Sequence, residues 1–362
     1  MTERPLALDP AALDAAFALA RRQVEEGDAP FTILAVATSA GLVRAEATPG
    51  PRAPRVDVDA VCLLASITKP IVALAVMQLV AEGRLGLLDG IERHIPEFAR
   101  PGKPAVTAWH LLSHTSGLPD YDLVEIATGR LDHAALVRRA CDAELAFAPG
   151  SRYAYCSISF DLLAELITRI TGEPYPVILR RRILDPLAMA STTFNPFDGL
   201  AERMAPVVMS GVPGALQREV PPEQALGELR HLASMALPGA GLWSSAGDLV
   251  RLGRALLRGG ELDGARILPP AYVDLMAREQ TVGGLGVAAD PIQGSHYALG
   301  WGKPDPRTEP GSPASFGHGG ATGTRLWIDP KHDLVVVYLT GAWDFPSGRI
   351  DRILHAVYAA LR

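Results

Sequence analysis

Lysine is scarce in this chain: four residues of 362, against thirty arginines. With a net charge of −6, no basic stripe of arginine or lysine is present to neutralise a run of phosphates. That argues against a nucleic-acid partner. The densest basic run, Arg180-Arg181-Arg182, reads as a solvated helix end. Cysteine is sparse too, and Cys62, Cys141 and Cys156 offer neither an even disulfide framework nor metal-ligand spacing. The longest apolar stretch, Ile71 to Val80, is too short to span a bilayer and contains Gln78. No membrane partner is expected. Met1-Thr2-Glu3-Arg4-Pro5 leads into no apolar segment of a secretory kind, so the expectation is a cytoplasmic protein with reduced thiols. There is no G-x-S-x-G elbow, which excludes the usual α/β-hydrolase site. Neither phosphate-loop pattern occurs. His110 and His114 stand four apart, as zinc ligands on a helix do, but no H-E-x-x-H pattern or third ligand accompanies them. No metal or cofactor is expected.

What remains is ample apolar material, 48% hydrophobic against 20% charged, enough for a large core. Asp9 to Glu26 reads as a capped amphipathic helix, with Pro10 in the first turn. Residues 32–38 and 42–47 are β-rich and separated by Ser39-Ala40-Gly41, a hairpin signal. From Ser66 to Ile183 the period is helical, with segments at 67–82, 108–112, 134–142, 157–171 and 176–183. Residues 197–240 are rich in loop formers, and a helix follows at 246–258. Strand signals return at 297–301, 324–328 and 334–340, before a closing helix at 350–361. This order places one mixed sheet at the two ends of the chain and a helical region in its middle. The expectation is a single catalytic domain, 1–362, with an α/β part at about 1–60 and 240–362 and a helical part at about 61–239.

Within that frame one motif carries chemistry. Ser66 and Lys69 form S-x-x-K at the mouth of an apolar helix, and residues three apart share a helical face. Serine needs a base within hydrogen-bond reach to act as a nucleophile. Lysine can be that base only when neutral, which requires a pKa pushed down by roughly 3 units from ~10.4. No other lysine of the chain lies three residues after a serine. Two further stretches look chemical: Pro149-Gly150-Ser151-Arg152-Tyr153-Ala154-Tyr155-Cys156-Ser157, and Phe316-Gly317-His318-Gly319-Gly320-Ala321-Thr322-Gly323, the latter just before a strand.

Three such blocks in this order resemble the penicillin-recognising serine hydrolases, the β-lactamase-like superfamily. It includes class C β-lactamases, D-alanyl-D-alanine carboxypeptidases and family VIII carboxylesterases. His110-Leu111-Leu112-Ser113-His114-Thr115-Ser116-Gly117-Leu118, Asp185-Pro186-Leu187-Ala188-Met189 and Gly241-Leu242-Trp243-Ser244-Ser245-Ala246-Gly247-Asp248-Leu249 resemble further family segments. The resemblance runs from about residue 30 onward. It implies a mixed α/β fold with an antiparallel sheet flanked by terminal helices, an inserted helical subdomain, and an active site between the two. By the same resemblance Ser66 is the acylated nucleophile, Lys69 its proton acceptor and Tyr155 the catalytic tyrosine. The backbone N–H groups of Ser66 and Ala321 are the oxyanion donors.

Two departures point away from penicillins. Ser157 stands where the family's Y-x-N carries asparagine, with a shorter reach and one donor fewer. His318-Gly319-Gly320 stands where β-lactamases carry K-T-G, and a mostly neutral histidine is a weak carboxylate anchor. The H-x-G form resembles the esterase branch. Tyr121 and Trp243 are the aromatic residues expected nearest substrate, and Ser157, His318, Gly319 and Gly320 are expected to line its site. The leading expectation is a serine carboxylesterase acting on small, short-chain esters. The alternative is a β-lactamase, D-amino-acid peptidase, amidase or acyltransferase of the same fold. A scaffold that keeps the fold only as a binding module is the contrasting case, and the intact Ser66, Lys69 and Tyr155 stand against it.

Overall fold

The computed structural model describes residues 8–99, 103–121, 131–209, 222–281, 296–343 and 345–362. Helix α1 (Pro10–Glu25) starts as its sequence dictates: Asp9 caps it through Ala11 N–H, and proline fills the first position. Strands β1 (Phe31–Ala37) and β2 (Leu42–Pro49) form the expected hairpin. A two-residue strand, β3 (Cys62–Leu63), leads into a 3₁₀ turn at Ala65–Ile67 and helix α2 (Thr68–Ala81). Helices α3 (Ala108–Leu112), α4 (His133–Asp142), α5 (Ile158–Thr171) and α6 (Tyr175–Leu179) follow. Then come β4 (Val208–Met209), α7 (Pro222–Met235), β5 (Trp243–Ser244) and α8 (Ala246–Leu257). The small hairpin of β6 (Glu261–Leu262) and β7 (Ala265–Arg266) precedes α9 (Pro270–Ala277). Strands β8 (Phe316–Gly320), β9 (Thr324–Asp329), β10 (Leu334–Leu339) and β11 (Ala342–Trp343) and helix α10 (Ser347–Tyr358) complete it.

The main sheet has the order β2-β1-β10-β9-β8, antiparallel throughout. It is covered on both faces, which is why β1 (FTILAVA) and β10 (LVVVYL) are apolar at nearly every position rather than alternating. Ile33, Ala35, Leu326, Val335 and Val337 face the large core shared with α2, α5 and α8. Leu34, Val36, Trp327, Val336 and Tyr338 face α1 and α10, meeting Leu13, Phe17, Ile353 and Val357. Helix α2 is buried from Thr68 to Leu79, so it is apolar all round, as a central helix must be. Among the described residues no helix is long and apolar enough to cross a membrane.

Three sequence expectations are corrected. Residues 297–301 form no strand: Tyr297 makes only an isolated bridge to Gly302, and Gly300 turns the chain at φ +79°. Residues 316–320, placed just before a strand, are themselves the edge strand β8, ordered by pairing with β9 rather than by β-forming side chains. The loop-rich stretch 197–240 contains α7. The arginine run lies in the wide turn Arg180–Leu184 after α6, where Arg181 pairs with Glu173 at 2.6 Å and Arg182 with Glu82 at 2.6 Å on the surface.

The segment Gly241 to Leu249 has a structural task. Ser245 caps α8 through Asp248 N–H, and Asp248 Oδ2 accepts from Ser191 N and Thr192 Oγ1, both at 2.8 Å. Asp248→Ala leaves both donors without their acceptor. Thermal denaturation should show a loss of about 2–3 kcal/mol with kcat unchanged.

Candidate active site

The site grows from the end of β3. Ala65 takes φ +46°, a left-handed conformation that is costly for a residue with a Cβ. Three groups hold this bend. Leu64 N donates to Leu242 O at 2.8 Å, Thr68 Oγ1 to Ala65 O at 2.7 Å, and Leu242 N to Thr68 Oγ1 at 3.0 Å. Ser66 follows, half-buried, in the first 3₁₀ turn. Its N–H has no intrahelical carbonyl to reach, as for any residue at a helix start.

Lys69, one turn on, is fully buried. Its Nζ lies 3.2 Å from Ser66 Oγ and donates to Gly239 O at 2.9 Å. It also sits over the Tyr155 and Phe160 rings, 4.8 and 5.6 Å from their centroids. Burial lowers its pKa from 10.5 to about 8, while Asp120 and Asp161 pull weakly the other way. No ion pair to Lys69 occurs among the described residues; Asp161, also buried, is engaged instead by His133 at 3.0 Å. The shift the S-x-x-K motif demanded is present.

Tyr155 is half-buried, and its phenol faces Ser66 as a hydrogen-bonding partner. Burial raises its pKa well above 10, so the hydroxyl stays protonated. Ser157 opens α5, and its N–H donates to Asp120 Oδ1 at 2.9 Å. Its Cβ, the Tyr121 hydroxyl and Lys69 Nζ converge on Gly239, each about 3.5 Å or less from where a side chain there would begin. Gly239 therefore keeps the space open.

The second wall is β8. Gly320 abuts Leu64: an added Cβ would stand 2.2 Å from Leu64 O and 2.2 Å from Thr324 Oγ1. Thr322 Oγ1 donates to Leu63 O at 2.6 Å and Thr324 Oγ1 to Leu64 O at 2.9 Å. Ala321, in the turn after β8, is thus pinned beside the segment that presents Ser66. His318 is buried at 7% exposure. Its Nδ1 donates to Gly319 O at 2.7 Å, so Nε2 accepts from the Tyr297 hydroxyl at 2.9 Å. Burial first, then the nearby Lys69, lowers its pKa to about 3. His318 is a neutral ring with both nitrogens engaged. Arg325 does not replace the missing charge: it pairs with Glu309 and lies over Trp327, on the face turned toward α10.

Ser66, Lys69, Tyr155, Ser157, Tyr121, His318, Gly319, Gly320 and Ala321 are therefore brought around one cleft. Trp243 is not. It is 2% exposed and packs with Val61 and Leu63, so it supports the β3–β5 pair beneath the Ser66 turn. His110 and His114 do not share a helix face, because α3 ends at Leu112 and His114 takes φ +57°. His110 instead accepts from Thr107 N–H at the start of α3. Cys156 is buried, and burial pushes its thiol up to about 12, so it is chemically quiet. Sequence reasoning missed Gly239, although the Pro238-Gly239-Ala240-Gly241 run was a signal.

A serine bonded to a buried lysine, at the edge of an antiparallel sheet packed against helices, defines a hydrolase of the serine β-lactamase fold. The chain belongs to the Beta-lactamase family, whose sequence profile matches residues 17–360. It is 33% identical over 338 residues to Esterase EstB of Burkholderia gladioli, covering 83% of each chain. A penicillin-binding protein homologue from Caulobacter crescentus superposes with a TM-score of 0.79 at 25% identity, over 99% of this chain and 100% of that one. A family VIII carboxylesterase superposes at 0.80 and 21% identity, over 99% of both.

Proposed function

We propose that the chain is a carboxylesterase for small, short-chain esters, working through an acyl-enzyme on Ser66. The observation that carries this is the buried Lys69 amine, 3.2 Å from Ser66 Oγ with its pKa near 8. Roughly a tenth of such lysines are neutral at pH 7 and half at pH 8. As Ser66 Oγ attacks the ester carbonyl, its proton passes to Lys69. The oxygen that becomes negative is met by the N–H groups of Ser66 and Ala321. When the tetrahedral carbon expels the alkoxide, the Tyr155 phenol protonates it and is restored from the Lys69 ammonium. Water then attacks the acyl-enzyme by the same route in reverse. The 33% identical relative is an esterase by name, which supports the ester over the amide.

Neutral His318 supports the same choice, because a β-lactam or peptide carboxylate finds no cation there. Turnover of p-nitrophenyl butyrate should exceed that of nitrocefin, and a fluorophosphonate should label Ser66. Fast nitrocefin hydrolysis with negligible ester cleavage would reverse the assignment. His318→Lys adds the missing cation, and should raise the nitrocefin-to-butyrate ratio of kcat/KM by about 10-fold or more.

The pH profile tests the base directly. Only the neutral amine accepts a proton, so kcat/KM for the ester should rise about tenfold per pH unit on the acid side and level off above about 8. A profile flat from pH 6 to 9 is incompatible with Lys69 in this role.

A further inference from the structure

We propose that His114 is the positioning residue for Tyr155, fixing the phenol against Ser66 from behind. This rests on Tyr155 acting as the catalytic acid in the mechanism above. His114 grips the chain on both sides of that tyrosine. Its carbonyl accepts from Ala154 N at 2.9 Å, and its Nδ1 accepts from Cys156 N at 3.1 Å. Its ring lies against the Tyr155 ring, with centroids 4.3 Å apart and planes tilted by 35°. Main chain and side chain of one residue thus hold positions 154 and 156, and the ring between them backs the side chain that does the chemistry.

The grip is made from a costly backbone. A non-glycine residue at φ +57° is strained, in the way retained where surroundings over-determine the backbone. The imidazole itself takes no proton. Its Nδ1 is an acceptor, so the single proton is on Nε2, which is buried with no hydrogen-bond acceptor. The rings of Tyr297, Phe160 and Tyr153 enclose it further. Burial, with Lys69 and His318 close by, holds its pKa well below 6.5. It touches none of the reacting atoms and acts through Tyr155. The phenol must stay in reach of one oxygen while that oxygen passes from hydroxyl to ester. A misplacement of about 1 Å at such a group costs about 10²-fold in rate.

The test is a double-mutant cycle on the full chain, read with p-nitrophenyl butyrate and checked by thermal melting. His114→Phe keeps a ring and removes the Nδ1 acceptor; His114→Asn keeps an acceptor and suits a left-handed backbone. Alone, His114→Phe should lower kcat by about 10²-fold with KM within about threefold. In a Tyr155→Phe background the same change should cost no more than about twofold, because the group it positions is already gone. His114→Asn should recover part of the single-mutant loss. Should His114→Phe fail to fold, His114→Asn runs the same cycle. Equal losses in both backgrounds, or an unchanged kcat, would overturn the assignment. The underlying mechanism is tested apart: turnover surviving in Ser66→Ala sinks that mechanism, whereas a dead Ser66→Ala with an additive cycle sinks only the role of His114.

Discussion

Ser66→Ala is expected to lower kcat by about 10⁴–10⁶-fold and to leave the melting temperature almost unchanged, because the residues act as one unit. Lys69→Met should cost nearly as much, and the double variant no more than either single one. Additive losses would show that the two residues do not share a step. The lysine variant carries a second expectation of opposite sign. Lowering the pKa of Lys69 from 10.5 to about 8 corresponds to about 3 kcal/mol of unfavourable charge burial. Methionine fills the same space without that cost, although Gly239 O loses its donor. The inactive Lys69→Met protein should therefore melt at or above the temperature of the parent. A markedly lower melting temperature would mean that the Lys69–Gly239 bond outweighs desolvation.

Gly320→Ala should be the other large effect. The new methyl would stand 2.2 Å from Leu64 O and Thr324 Oγ1, and both belong to backbone or short side chains that cannot swing away. Strand β8 must retreat from the Ser66 turn, which breaks the Thr324–Leu64 hydrogen bond and, on the proposed mechanism, moves the Ala321 N–H off the developing charge. Losing one such donor costs about 10²–10³-fold in kcat. Gly319→Ala is the control: its nearest neighbours stand at 3.6 and 3.8 Å, ordinary contact distances. It should retain kcat within a few-fold. Equal losses from the two substitutions would remove Ala321 from the oxyanion site.

Much of this site was legible in local pattern. S-x-x-K needs only one helical turn to bring its two residues together, and α2 could be read from its largely apolar run. The hairpin of β1 and β2 and the capped α1 were equally local. What the sequence hid depends on partners far along the chain. Phe316-Gly317-His318-Gly319-Gly320 has almost no intrinsic preference for extended structure and becomes a strand because β9 pairs with it. Residues 297–301 carry β-forming side chains, yet Gly300 must pass Ala73 at a distance no Cβ tolerates, and the chain turns there instead. Trp243 looked like a binding aromatic, but its short strand carries it beneath the nucleophile turn. Gly239 contributes a carbonyl and an absence of side chain, and His114 a ring and a carbonyl. The segments that hold them could be noticed, but the contacts they make depend on partners far along the chain.

The separation in sequence of the parts that meet at Ser66 has a consequence during synthesis. Lys69 takes its carbonyl partner from 170 positions downstream, and the threonines that clamp the nucleophile segment come from 259 and 260 positions downstream. On a nascent chain that has not yet delivered those segments, Lys69 is solvated, its pKa is near ~10.4, and Ser66 is an ordinary alcohol. On the proposed mechanism, reactivity therefore switches on only when the segments carrying Gly239, Thr322 and Thr324 have docked. The first turnover by a newly made molecule is also its certificate of completion.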